Sequence, residues 1–224
     1  MINFANFNLL DLLMRMGALT FAFTVHELCH GLMALALGDR TAKNDGRLTL
    51  NPLRHIDPLG MVFILIFSFG WAKPVMIDPG NFKYPKYDMA LTAVAGPISN
   101  FLMATASILI YYSLYLNTMG GAVPQIILPV GAQAALLMFL RYMVIINLVL
   151  GIFNLIPIPP LDGSKLFGVV LPDRLYFSYI SSGSRIGMLL IFILIWTNQL
   201  TPILTTLLSF GINLLDDFAR FVFL

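Results

Sequence analysis

The chain has 224 residues, of which 58% are hydrophobic and 11% charged, and its mean hydropathy is +0.86. So few polar side chains cannot cover a soluble domain of this size, and the composition points to a polytopic membrane protein in a lipid bilayer. A net charge of +2 with no basic run excludes nucleic acid as a partner, and the single cysteine, Cys29, excludes an internal disulfide.

The N-terminus, Met1-Ile2-Asn3-Phe4, has no basic region ahead of the first apolar run, so no cleavable signal is expected. That run, about residues 7–37, is longer than the ~20 residues needed to cross a hydrocarbon core of ~30 Å. It contains Arg15 and ends at Gly38-Asp39, a C-cap glycine followed by a polar residue. Within it stands His26-Glu27-Leu28-Cys29-His30. Helical positions four apart share a face, so His26 and His30 can present two imidazole nitrogens to one metal ion. Glu27 is one step round the helix, within reach of a water on that ion, which is the zinc-hydrolase arrangement. Glu27 is the only glutamate in the chain, and two of its three histidines flank it. Ionisable groups at membrane depth cost several kcal/mol unless paired or coordinated, so their placement argues for function.

Residues 39–58 are polar and turn-rich. Asn44-Asp45-Gly46 reads as a turn and Arg47-Leu48-Thr49-Leu50 as a short alternating segment, so a small membrane-associated β-hairpin is expected here. The next apolar run, residues 59–69, is closed by Gly70. As a helix it reaches only about half the hydrocarbon core, which predicts a re-entrant or protein-covered segment. Arg40, Lys43, Arg47 and Arg54 precede it, and Lys73, Lys83 and Lys86 follow it. The positive-inside rule places both groups in the cytoplasm, so the first helix runs from outside inward. The stretch from Trp71 to Pro85 is too rich in proline and glycine for regular structure.

A second span is expected at about residues 89–116, with Ala95-Gly96-Pro97 in its first turns. The loop of residues 117–129 has no Lys or Arg and belongs outside. A third span, about residues 132–156, returns to the cytoplasm and runs into Asn154-Leu155-Ile156-Pro157-Ile158-Pro159-Pro160-Leu161-Asp162-Gly163, with Lys165, Arg174 and Arg185 following on the inner side. Two more apolar runs, residues 186–196 and 201–210, read as an up-and-down pair. The fold class expected is an all-α polytopic membrane protein with five to six transmembrane helices. It has a three-helix catalytic core, a β-hairpin and a re-entrant segment. One domain covers residues 1–224, the core lying at about 7–172 and the C-terminal helical pair at about 184–224.

Catalytic zinc takes three protein ligands and a water, so two histidines leave one ligand to find. The candidates are an aspartate, His55 and Cys29. Asp162 is the best placed, an acid at the cytoplasmic end of a span and at about the depth of His30. The proline-broken stretch before it is tolerable only where it is covered by protein or lines a wet cavity. His55 reads instead as an interfacial residue and Cys29 as packing. Arg141, inside the third span, can pair with an acid, snorkel or face a cavity. Ser182-Gly183-Ser184 precedes a helix but has no histidine downstream, which argues against a serine protease.

Together these residues resemble the site-2 protease family of intramembrane zinc metalloproteases. His26 to Gly31 matches its first motif, Asn154 to Gly163 its Asn-x-x-Pro-x-Pro-x-x-Asp-Gly motif, and Ala95-Gly96-Pro97-Ile98-Ser99-Asn100 a signature between them. The resemblance implies one zinc ion per chain held by His26, His30 and Asp162, with Glu27 as general base and then proton donor to the leaving amine. It implies that Asn154 holds the scissile carbonyl or the substrate backbone, with Asn100 as second candidate. The substrate would be a transmembrane segment of another protein, locally unwound. We expect the strand from Gly46 to Asn51, through Leu48 and Leu50, to pair with it by strand addition. No peptide-binding or nucleotide-binding module is evident, which fits a minimal family member, multi-pass in the cell membrane with its active site toward the cytoplasm. A proteolytically inactive relative that binds membrane partners or metal is the alternative, against which the presence of Glu27 argues.

Overall fold

The computed structural model describes residues 8–67, 70–118 and 130–223, and among them every regular element is helical. The α-helices are α1 (Leu9–Ala36), α2 (Thr41–Asn44), α3 (Pro58–Phe67), α4 (Pro85–Thr118), α5 (Val130–Asn154), α6 (Asp162–Gly168), α7 (Asp173–Trp196) and α8 (Leu200–Phe223). Asn8 caps α1, its side-chain oxygen accepting the N–H groups of Leu10 and Asp11. At the other end the chain turns out of α1 as the sequence predicts. Gly38 takes a φ of +110°, Asp39 N–H reaches back to Ala34 C=O at 2.9 Å, and Gly38 N–H bonds Leu35 C=O at 3.2 Å.

Among the described residues three helices are long and apolar enough to cross a membrane, over Leu9–Ala36, Pro85–Leu116 and Gly131–Asn154. They pack against one another as the expected three-helix core. A fourth crossing is reached if the two arms of α7, Asp173–Ile180 and Gly183–Trp196, bent by 55°, form one span. Three or four is fewer than the five or six expected, for two reasons. The ten-residue α3 is too short, and α8 interleaves its apolar residues with Thr201, Thr205, Thr206, Ser209, Asp216 and Asp217. Leu208, Ile212 and Leu215 of α8 instead pack onto a buried cluster of Ala104, Val144 and Leu148 between α4 and α5.

The expected β-hairpin is a correction, since no strand occurs among the described residues. The turn signal Asn44-Asp45-Gly46 ends a helix instead. Gly46 takes a φ of +63°, Arg47 N–H bonds Ala42 C=O at 2.9 Å, and Gly46 N–H bonds Lys43 C=O at 3.1 Å, closing α2 with the same cap as α1. The chain then bends at Thr49, whose C=O accepts from His55 Nε2 at 2.9 Å. Residues 46–51 therefore form no edge strand for a substrate to extend.

The α3 excursion leaves and returns at one place. Lys73 N–H donates to His55 C=O at 2.8 Å, and a Cβ built on Gly60 would lie 2.1 Å from the Trp71 carbonyl oxygen. Only glycine allows that approach. The two flanks of α3 thus lie side by side; residues 68–69 lie outside the described residues. The buried Arg47 guanidinium locks this neck by donating to the carbonyls of Arg54, Lys73 and Pro74, the last two at 2.7 and 2.9 Å. The Asp39 carboxylate similarly ties the end of α1 to the loop before α4, accepting from Thr41, Asn81 and the Asp78 N–H. Of the connection expected outside, residues 119–129 also lie outside the described residues.

Candidate metal centre

The site is built where α1 lies against α4 and the start of α6. His26 and His30, one turn apart and both buried, face a matching stripe of α4 in which Thr92, Gly96 and Asn100 recur every four residues. The His30 Nδ1 donates to Thr92 C=O at 2.8 Å, because a carbonyl can only accept. The His26 Nδ1 lies 2.6 Å from Asn100 Oδ1 and donates to it. Gly96 between them makes room for the rings: a Cβ there would stand 2.5 Å from the His30 ring and 2.6 Å from the His26 ring.

Asp162 is the first residue of α6. Its neighbour Gly163 lets α6 press against the end of α5, where a Cβ would sit 2.2 Å from the Leu155 carbonyl oxygen. That approach brings Asp162 Oδ2 to 3.3 Å from His26 Nε2 and 3.1 Å from His30 Nε2. The other carboxylate oxygen, Oδ1, takes the Lys165 ammonium at 3.1 Å. The Lys165 ammonium beside Oδ1 favours the ionised carboxylate.

These residues fit a metal by the chemistry of their donors. In their neutral form both histidines spend the single N–H on Nδ1, which leaves both Nε2 atoms with lone pairs that face each other 3.0 Å apart. A carboxylate oxygen completes the group. Three acceptors converging on one point without a hydrogen among them repel unless a cation lies there, and two imidazoles with one carboxylate suit zinc. Among the described residues this trio is the one group of His, Cys, Asp and Glu side chains placed to hold a metal.

Glu27 lies alongside, half-buried, its Oε2 accepting the Val75 N–H at 2.8 Å. Leu48 packs over Gly31, one residue beyond His30, while Leu50 is 60% exposed. Asn154, in the last turn of α5, donates its amide to Leu150 C=O at 3.0 Å. Asn100 is fully buried, with both polar atoms engaged inside the protein. His55 is buried but bonds Thr49, and Cys29 is half-buried; neither belongs to the trio. Sequence reasoning missed Thr92, Lys165 and the spatial role of Gly96. The available signal was the four-residue spacing of Thr92, Gly96 and Asn100, which repeats that of the two histidines.

Gly96→Ala tests the fit. The added methyl must displace an imidazole held from behind by a hydrogen bond, so we expect zinc affinity to fall by at least about tenfold, measured by competition with a chelator. Native affinity in this variant would show that the rings have slack.

The sequence model of Peptidase family M50 matches residues 15–194, a stretch that contains the trio and Glu27. The Bacillus subtilis (strain 168) protein called "Putative zinc metalloprotease YwhC" is 39% identical over 154 residues, which cover 69% of this chain and 67% of that protein. No solved structure matches the chain.

Proposed function

The chain belongs to peptidase family M50, the site-2 proteases, and on that premise we propose that it hydrolyses a peptide bond in or near a transmembrane segment of another membrane protein. The observation that carries this reading is the convergence of three bare acceptors with the chain's only glutamate beside them. One zinc ion bound by His26, His30 and Asp162 would polarise the scissile carbonyl and bring the pKa of a water to about 7. Glu27 does the proton work. With Oε2 held by the Val75 N–H, its Oε1 accepts the proton of the attacking water and then passes it to the leaving amine. Asn154 exchanges its bond to Leu150 for the substrate carbonyl, acting as an amide donor to the developing oxyanion. Lys165 keeps Asp162 turned so that one oxygen serves the metal.

A transmembrane helix hides its carbonyls in its own hydrogen bonds, so the substrate is unwound locally before attack. Leu48 and the exposed Leu50 contact that segment through their side chains. The site faces the cytoplasm, a placement supported by the basic neck of Arg47, Arg54 and Lys73 next to the Val75 segment.

The experiment uses the native chain in vesicles with a panel of single-span reporter proteins, new termini being mapped by mass spectrometry. We expect cuts in or beside the reporter spans that a zinc chelator stops and added zinc restores. In the same assay Leu50→Asp slows cleavage with zinc content unchanged. Cleavage that survives complete removal of zinc would overturn the proposal, and zinc binding without cleavage of any reporter would favour the inactive relative.

A further inference from the structure

Asn147 lies on α5, fully buried, and has no part in the reaction as described above. We propose that Asn147 is a positioning residue that fixes which way round the Asn100 amide lies, and through it which nitrogen of His26 is free for the metal. The inference rests on the metal reading of the site.

The argument starts from the Met143 carbonyl, which can only accept. The side-chain atom of Asn147 at 2.8 Å from that oxygen must therefore be Nδ2. This turns Asn147 Oδ1 toward Asn100, 2.7 Å away, and an oxygen there requires Asn100 to present its own Nδ2. The remaining atom of Asn100, Oδ1, then faces His26 Nδ1 at 2.6 Å and requires a hydrogen on it. A neutral imidazole has one N–H, so Nε2 is left with its lone pair, pointing into the trio. Each step has a single solution, and all follow from one backbone carbonyl.

Asn100 alone could not settle the matter. An amide bonds either tautomer of a neutral imidazole, its oxygen meeting an N–H or its NH2 group meeting a lone pair. Flipped, it would move the His26 hydrogen to Nε2 and aim it at His30 Nε2, 3.0 Å away, where the cation belongs. With Asn100 and Asn147 both fully buried, no solvent is present to repair the flipped arrangement, in which the two amide oxygens would face each other. His30 needs no such relay, because its partner is the backbone carbonyl of Thr92, which cannot flip. The relay therefore serves His26 alone.

Two substitutions separate this role from packing. Asn147→Leu keeps the approximate volume but removes the acceptor for Asn100, whereas Asn147→Asp keeps an oxygen facing Asn100 and so still orients it. The measurement is the zinc dissociation constant in detergent, by competition with a chelator of known affinity, alongside thermal unfolding of the metal-free protein. We expect the leucine variant to bind zinc roughly 10- to 100-fold more weakly and the aspartate variant within about threefold of native, although the bond to Met143 is disturbed in both. Asn147→Ala, with the same expectation as leucine, replaces it if leucine prevents folding. Native affinity in the leucine variant, or equal losses in leucine and aspartate that track their unfolding temperatures, would overturn the relay. A native chain that binds no zinc would overturn the metal reading itself, whereas about one zinc per native chain with indistinguishable variants would overturn the relay alone.

Discussion

Replacing Glu27 by glutamine lowers peptide hydrolysis by roughly three orders of magnitude while leaving zinc in place, the loss expected when a general base is removed. The structure makes the substitution a clean one. Glutamine is the same size as glutamate, and its side-chain oxygen can still accept the Val75 N–H that now bonds Oε2, so α1 and the loop across it keep their contact. The amide has no basic oxygen to take a proton from water and none to give to the departing amine. Glu27 is not one of the three convergent side chains that could hold a metal, so metal content should stay near one ion per chain. Reporter cleavage and elemental analysis on the same preparation check both halves. A glutamine variant that keeps more than about a tenth of native cleavage would remove Glu27 from the reaction.

Asp162→Ala should empty the site. Removing the carboxylate takes away the one anionic member of the trio, leaves two imidazoles, and deprives the Lys165 ammonium of its partner. Loss of a direct ligand should exceed the 10- to 100-fold seen for outer-shell partners, so we expect affinity to fall by more than about 100-fold and cleavage with it. Elemental mass spectrometry of protein purified without chelators decides the point. Full zinc in the variant would mean that another residue supplies the third ligand.

The parts of this protein legible in its sequence are those set by local rules. The pairing of His26 with His30 follows from helix periodicity, the end of α1 from Gly38, and the shortness of α3 from its count of apolar residues. Asp162 could be chosen because an acid at the end of an apolar span has few reasons to be there. What failed was a signal with two meanings. A left-handed glycine after a polar pair closes a helix as readily as it turns a hairpin, and four alternating residues after Gly46 were too few to decide between them. Thr92, Gly96 and Asn147 were beyond local reading for another cause. The carbonyl, the empty space and the amide orientation they contribute have meaning only against a neighbouring helix. An asparagine within the apolar α5 was the one visible hint, since a buried amide in such a place must find partners.

The stripe on α4 also decides what kind of change in chain length the protein can absorb. A single residue inserted or deleted between Thr92 and Asn100 would rotate everything beyond it by about 100°. The contact to one histidine or the other would then be lost whatever residue was gained or removed. Variation in length among related chains should therefore be absent from residues 92–100, a spacing that works as a fixed gauge for the two imidazoles.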